Sequence, residues 1–359
     1  MTDINASLKA QHPSSHDSQS NSDDPKTPYP LIDTHTHFDA PVFDNDRAQQ
    51  AQRAYSQGVR HLILVGYLSR HFDRLYQTQQ QLMPPSADDS AQTASRAVPS
   101  EQPQTHIALG LHPFYIHQHT DADLSSMAQR IAQQRPVAIG EIGLDTYTDE
   151  MKQPAAFEKQ QRFFAAQLDM AVAHQLPVML HIRKAHAEAL ALLKAHDYDA
   201  HKLGGIAHSF SGGVQEAKAF VKLGFKLGVT GQVTNPNAKK LRSAIQAAVD
   251  SYGIECLVIE TDCPDMTPIM CQTQSNDSKQ TDTEDKTTKD KAKGARSALG
   301  QNADNEWQGA DGHNRNVPAN LPWVLMSLSE LLDVDCAVLA RQLWQNSCDA
   351  LQVSWAYPQ

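Results

Sequence analysis

Eight short apolar runs, each followed by a longer stretch with helical spacing, constrain this chain more than any other feature. The runs are YPLIDTH (29–35), VRHLILVG (59–66), HIALGLHP (106–113), VAIGEIGLD (137–145), PVMLHIR (177–183), GGIAHSF (204–210), FKLGVTG (225–231) and CLVIETDCP (256–264). Most are continuously apolar, as strands buried on both faces are. Between them, PAAFEKQQRFFAAQLDMAVAHQ puts Phe157, Phe164, Leu168 and Val172 on or near one helical face. VQEAKAFVKLG stops at Gly224, and LPWVLMSLSELL and DCAVLARQLWQNSCDAL read as two closing helices. Eight strand–helix units predict an α/β fold, the (β/α)8 TIM barrel. The competing architecture, an open doubly wound sheet, usually carries a Gly-rich phosphate loop. Neither G-x-G-x-x-G nor G-x-x-x-x-G-K-[ST] occurs here.

The hydrophobic content of 40% is low for a globular chain of 359 residues, and the shortfall is local. Residues 1–28 are expected to form a disordered tail and 29–359 the barrel domain, with low-complexity insertions at about 84–104 and 272–316. Such segments bury too little apolar surface to offset their ordering entropy. Setting them aside leaves about 265 residues, the size of one barrel. The first insertion follows the second helix, on the stability face; the second follows strand eight and emerges on the catalytic face. The net charge of −10 advertises no basic groove for duplex nucleic acid, and bound cations would reverse the local field around acidic ligands. Cys256, Cys263, Cys271, Cys336 and Cys348 form no C-x-x-C pair, which fits a reducing compartment. With no signal-peptide pattern and no long apolar run, the expected location is the cytoplasm, away from the membrane, with no obligate protein partner evident.

A barrel of this kind places its active site at the C-terminal ends of the strands. Strand one ends in His35 and His37, which share a face if the strand alternates regularly. Strand four carries Glu141, strand five ends at His181, strand six at His208 and strand eight at Asp262. Imidazoles with carboxylates suit zinc, manganese, iron or nickel, and buried charges must be paired or metal-bound. The H-x-H spacing alone decides nothing. With 17 histidines roughly one such pair arises by chance, and HQH at 117–119 has the same spacing in what reads as a surface loop. Asp33 is expected to support the histidines from one pleat below, and Thr36 to point away.

The segments IDTHTHFD, GLHP, GEIGLD, LHIRKAH, HSFSGG, ETDCPDM and RNVPANL run in order from about residue 31 to the C-terminus. In these the chain resembles the TatD family of metal-dependent hydrolases, of the amidohydrolase-like barrel superfamily, and most of all its YjjV-like branch. It departs at Thr36, where members often have Cys. The resemblance implies a TatD-type deoxyribonuclease, 3′–5′ exonuclease-like, that cleaves phosphodiesters of DNA with a two-metal-activated water. Two divalent ions (Zn, Mg or Mn) are implied: His35, His37 and Asp262 at one, His181 and His208 at the other, Glu141 bridging. Glu141 and Asp262 would be the catalytic pair, Asp262 taking the nucleophile's proton. His112, Arg183, Arg315 and Asn316 are candidates to bind substrate. Lys239 and Lys240, at a helix start, read as solvated. Two other functions compete: ester or amide hydrolysis, such as D-aminoacyl-tRNA deacylation, and a non-enzymatic barrel with structural metals. The second is disfavoured because structural zinc is usually closed by Cys and His.

Overall fold

The apolar runs fold as eight parallel strands because each is buried between a packed interior and a layer of helices. The structure, a computed structural model, describes residues 28–83, 101–272 and 314–358. The strands are β1 (Leu31–Thr36), β2 (Val59–Val65), β3 (Gln104–Leu109), β4 (Ala138–Asp145), β5 (Val178–Arg183), β6 (Ile206–Ala207), β7 (Lys226–Val229) and β8 (Leu257–Ile259). They pair in sequence order in a single sheet. The helices are α1 (Arg47–Ser56), α2 (Phe72–Leu82), α3 (Asp121–Gln133), α4 (Pro154–His174) and α5 (His186–Ala195). Then follow α6 (Ala200–Leu203), α7 (Val214–Lys222), α8 (Lys239–Tyr252), α9 (Leu321–Leu332) and α10 (Cys336–Leu351). This is the expected TIM barrel. The expected disorder falls mostly outside the described residues (1–27, 84–100 and 273–313). At its described edges the chain is ordered: Gln104 opens β3, and Asn316 is buried.

The last and first strands share no ladder; side chains and loop backbone close the seam. Asp262 N–H donates to the His35 carbonyl (2.9 Å) and His37 N–H to that of Cys263 (2.8 Å). Thr261 N–H donates to Asp33 Oδ1 (2.9 Å), and Thr34 Oγ1 to the Ile259 carbonyl (3.1 Å). The buried Asp33 therefore clamps strand eight's loop rather than a histidine ring. Register irregularities between Asp33 and Thr36 break the simple alternation. Below the mouth, Ile63, Val65, Ala108, Met179, Ile206 and Val258 form an apolar floor, closed underneath by the end of α10 and Trp355.

The longest helix, α4, buries Ala156, Phe163, Phe164, Leu168 and Ala171. Of the expected face, Phe164 and Leu168 are buried, Phe157 is half-buried and Val172 exposed. The buried arc is rotated by two glutamines that a hydrophobic pattern cannot reveal. Gln160 accepts from Asp145 N–H (2.8 Å) and donates to its carbonyl (2.9 Å). Gln167 accepts from Leu111 N–H (2.7 Å). Both tether strand ends at the catalytic mouth. Gln160→Leu should strand the backbone groups of Asp145 and cost about 1–3 kcal/mol, read from the urea midpoint; an unchanged midpoint would show the tether to be dispensable.

Candidate metal centre

The strand ends bring His35, His37, Glu141, His181, His208 and Asp262 together. Asp262 lies three residues beyond β8, with its backbone in the left-handed region at φ 53°. Strain of this kind is held only where surroundings over-determine it; here the Asp262 N–H to His35 bond does so. Glu141 is 1% exposed and its two oxygens are divided. Oε2 lies 3.3 Å from His35 Nε2 and 3.5 Å from His37 Nε2. Oε1 lies 2.7 Å from His181 Nδ1, 3.2 Å from His112 Nε2 and 3.7 Å from His208 Nε2. Asp262 is divided likewise, Oδ1 facing His35 (3.9 Å) and His37 (3.8 Å), Oδ2 facing His208 (3.6 Å).

These contacts fit a metal better than one another. Donors held about 2.1 Å from one tetrahedral ion stand about 3.4 Å apart. Several separations here are near that value, longer than a good charge-assisted hydrogen bond. Among the described residues neither ring nitrogen of His35, nor Glu141 Oε2, has a hydrogen-bond partner, and all are buried. Such orphans are costly unless something satisfies them.

The outer nitrogen of each ring indicates which inner nitrogen offers a lone pair. His37 Nδ1–H donates to the Val65 carbonyl (3.1 Å), leaving Nε2 facing the cluster. His181 Nε2–H donates to Asp145 Oδ2 (3.0 Å), leaving Nδ1. His208 Nδ1 faces Glu260 Oε1 at 2.9 Å, off the best hydrogen-bond direction, so the contact is chiefly electrostatic; it too leaves Nε2 inward. His112 is the reverse case. It sits with Glu141 and His181 in a group spaced to hold a metal, yet its Nδ1 accepts from Phe114 N–H (3.0 Å), so its inner Nε2 carries the proton. His112 is therefore a donor into the site and a poor ligand.

Charge follows the same geometry. Burial takes His35 down to about 3 and His112 to about 4. Burial opposes the other imidazoliums too, but carboxylates win. Glu141 and Asp262 raise His37 to about 9, Asp145 and Glu141 raise His181 to about 9, and Glu260, Asp262 and Glu141 raise His208 to about 10. Glu141 stays well below the ordinary carboxylate range, despite its burial, because imidazoles surround it. Burial lifts Asp262 to about 7 against the pull of His208 and His37.

Two carboxylates escaped the sequence reading. Glu260 is fully buried and also accepts from Ser209 N–H (2.6 Å) and Thr34 Oγ1 (3.1 Å). Gly228 in β7 makes room for it: a Cβ there would lie 2.3 Å from Glu260 Oε1. The signal was present, since Glu260 is the first polar residue after the β8 run. Asp145 closes the GEIGLD segment and orients His181. Arg183 ends β5 and stacks on Tyr147, with no carboxylate partner among the described residues. The two other substrate candidates are engaged with the fold. Arg315 pairs with Asp46 (2.5 Å), donates to the Val42 carbonyl (2.6 Å) and lies over Phe43. The buried Asn316 donates to the Thr261 carbonyl (2.9 Å) and accepts from Asn320 (2.9 Å). Both hold loops around the mouth, with their polar atoms already engaged. His117 is exposed, but His119, expected at the surface, is buried and donates to the His112 carbonyl (2.9 Å). Thr36 is turned to Cys263 Sγ (2.8 Å) and buried. Lys239 and Lys240 are exposed.

A model of the family described as TatD related DNase matches residues 32–352. The chain belongs to the TatD family. Over 239 residues, 66% of this chain and 80% of the relative, it is 36% identical to the metal-dependent hydrolase YjjV of Escherichia coli. It is 30% identical, over the same shares, to a protein of Escherichia fergusonii named 3′–5′ ssDNA/RNA exonuclease TatD. The crystal structure of E. coli YjjV superposes with a TM-score of 0.65 at 30% identity, covering 90% of this chain and 98% of that one. This member of the TatD family is thus a metal-dependent hydrolase with the barrel of its family.

Two outcomes follow from the ring environments. Three imidazoles that hold protons up to about pH 9–10 must release them to ligate. Metal uptake at pH 7–8 should therefore expel protons, and apparent affinity should climb as pH rises toward 9; calorimetry in buffers of different ionisation enthalpy reads this, and buffer-independent heats would contradict it. Glu260→Gln should weaken metal binding about 10–100-fold, measured by competitive chelation.

Proposed function

We propose that the protein is a phosphodiesterase acting on nucleic acid, with His35, His37 and Asp262 holding one divalent ion and His181 and His208 a second. Glu141 is shared between them. The division of Glu141 carries this reading: one oxygen faces His35 and His37, the other His181 and His208. A single buried carboxylate so divided suits two cations, and the similarity to a named exonuclease supports nucleic acid as the substrate. Imidazole with carboxylate suits zinc or manganese better than magnesium.

When bound, a pair of divalent cations offsets charge on phosphate oxygens and lowers the pKa of water. The chain's own groups do the rest. Asp262 faces both sets of rings and is placed to take a proton from the attacking water. His112 Nε2–H points into the site and is placed to donate to a substrate oxygen. Asp145 holds His181 in the ligating tautomer, and Glu260 faces the outer nitrogen of His208. The apolar floor keeps bulk water from beneath, which strengthens every electrostatic contact above it. The chain's cysteines are all free, in keeping with a reducing cytoplasm. Among the described residues no helix is long and apolar enough to cross a membrane.

Glu141→Ala should lose metal and turnover together. Asp262→Asn should lower kcat about 10²–10⁴-fold. Wild-type turnover in both variants, by metal analysis and single-strand cleavage, would exclude these roles. A panel of single-stranded DNA, RNA, D-aminoacyl-tRNA and simple esters tests the bond type. Hydrolysis of the aminoacyl or simple esters with none of any phosphodiester would overturn the reading.

A further inference from the structure

Beside the metal centre the rim carries an aromatic ring in contact with two cations. Tyr147, in the loop after β4, is 37% exposed. The Arg183 guanidinium lies over its ring at 3.5 Å and Lys184 Nζ at 4.6 Å. The backbone holds this group firmly. Tyr147 N–H donates to Asp145 Oδ1 (2.7 Å), the carboxylate whose other oxygen orients His181. Thr146 N–H donates to the Arg183 carbonyl (3.0 Å) and Thr146 Oγ1 to that of Lys184 (2.9 Å). Lys184 stands in the left-handed region at φ 57°, a strained backbone of the kind that collects at ligand clamps.

Arg47, Arg74, Arg130, Arg162 and Arg315 each pair with a carboxylate. The Arg183 side chain makes no hydrogen bond or ion pair among the described residues, so its fork of donors remains available. Of the acids of the adjoining loop, Asp149 pairs with Lys152 (2.8 Å) and Glu150 faces His117 Nε2 (3.4 Å). A guanidinium stacked on tyrosine keeps its plane while its N–H edges reach an anion. A partly exposed tyrosine beside such donors suits an unstacked base with its phosphate.

We propose that Tyr147, Arg183 and Lys184 form the subsite for the nucleotide adjoining the scissile bond. Tyr147 stacks the base, and the two cations take the phosphate. The proposal rests on the phosphodiesterase reading and deepens it: the subsite selects strands whose bases are unpaired and is indifferent to sequence.

The test compares wild type, Tyr147→Ala and Arg183→Gln on single-stranded oligonucleotides. These are intact or carry one abasic nucleotide on either side of the cleaved bond, and metal content is measured for each protein. In the wild type the abasic substrate should raise KM about 10-fold. Tyr147→Ala should raise KM for the intact strand by a similar factor and erase the abasic penalty. The effect should fall on KM, with kcat and metal content within about twofold. Arg183→Gln should raise KM on both substrates while keeping the penalty. Tyr147→Leu, which keeps apolar bulk without the π face, should behave as Tyr147→Ala does. An abasic penalty that persists in Tyr147→Ala and Tyr147→Leu overturns the subsite alone. A wild type that cleaves no oligonucleotide overturns the phosphodiesterase reading and the subsite with it.

Discussion

A single carboxylate, Glu141, buried among imidazoles at the mouth of a barrel, is what the rest of the site is arranged around. An ionised carboxylate at that depth is tolerable only with positive charge on both sides. Its two oxygens face separate groups of rings, and the protons on His37, His181 and His208 supply that charge when no cation does. The network that neutralises Glu141 also fixes the spacing of the rings and carboxylates around it.

The same region closes the fold. Strands β1 and β8 meet without a ladder, and Asp33, Thr34 and the loop Thr261–Cys263 join them. Asp262 and Glu260 both sit at this join, so barrel closure and the shape of the metal centre depend on common hydrogen bonds. Asn316 adds to this from the chain beyond, through its bond to the Thr261 carbonyl. Around the rim, Asp145 connects His181 to the Tyr147 loop, so a residue that orients a ligand also sets the position of a candidate substrate contact.

Much of this was legible in the chain. Continuous apolar runs specified strands buried on both faces, and the residues at their ends converge because a parallel barrel points all its C-terminal strand ends the same way. Glu260 was not singled out, because its partners His208, Ser209 and Thr34 lie on or next to other strands, far off in the chain. Asp33 was assigned by parity, which fails where β1 slips register. Arg315 and Asn316 looked like substrate residues by position after strand eight, but their partners, Asp46 and Thr261, are distant in sequence. His112 was a candidate to bind substrate, and only the Phe114 N–H bond to its Nδ1 shows which ring nitrogen carries the proton.

The sequence by itself determined the eight strand–helix units and the metal-ligand residue types at their ends, because periodicity and residue chemistry are local properties. Only the tertiary structure decided which nitrogen of each ring faces inward, how the two oxygens of Glu141 are divided and which cations are left unpaired. Those depend on hydrogen bonds between strands that are far apart in the chain, and a tautomer or a charge state is set by its neighbours in space.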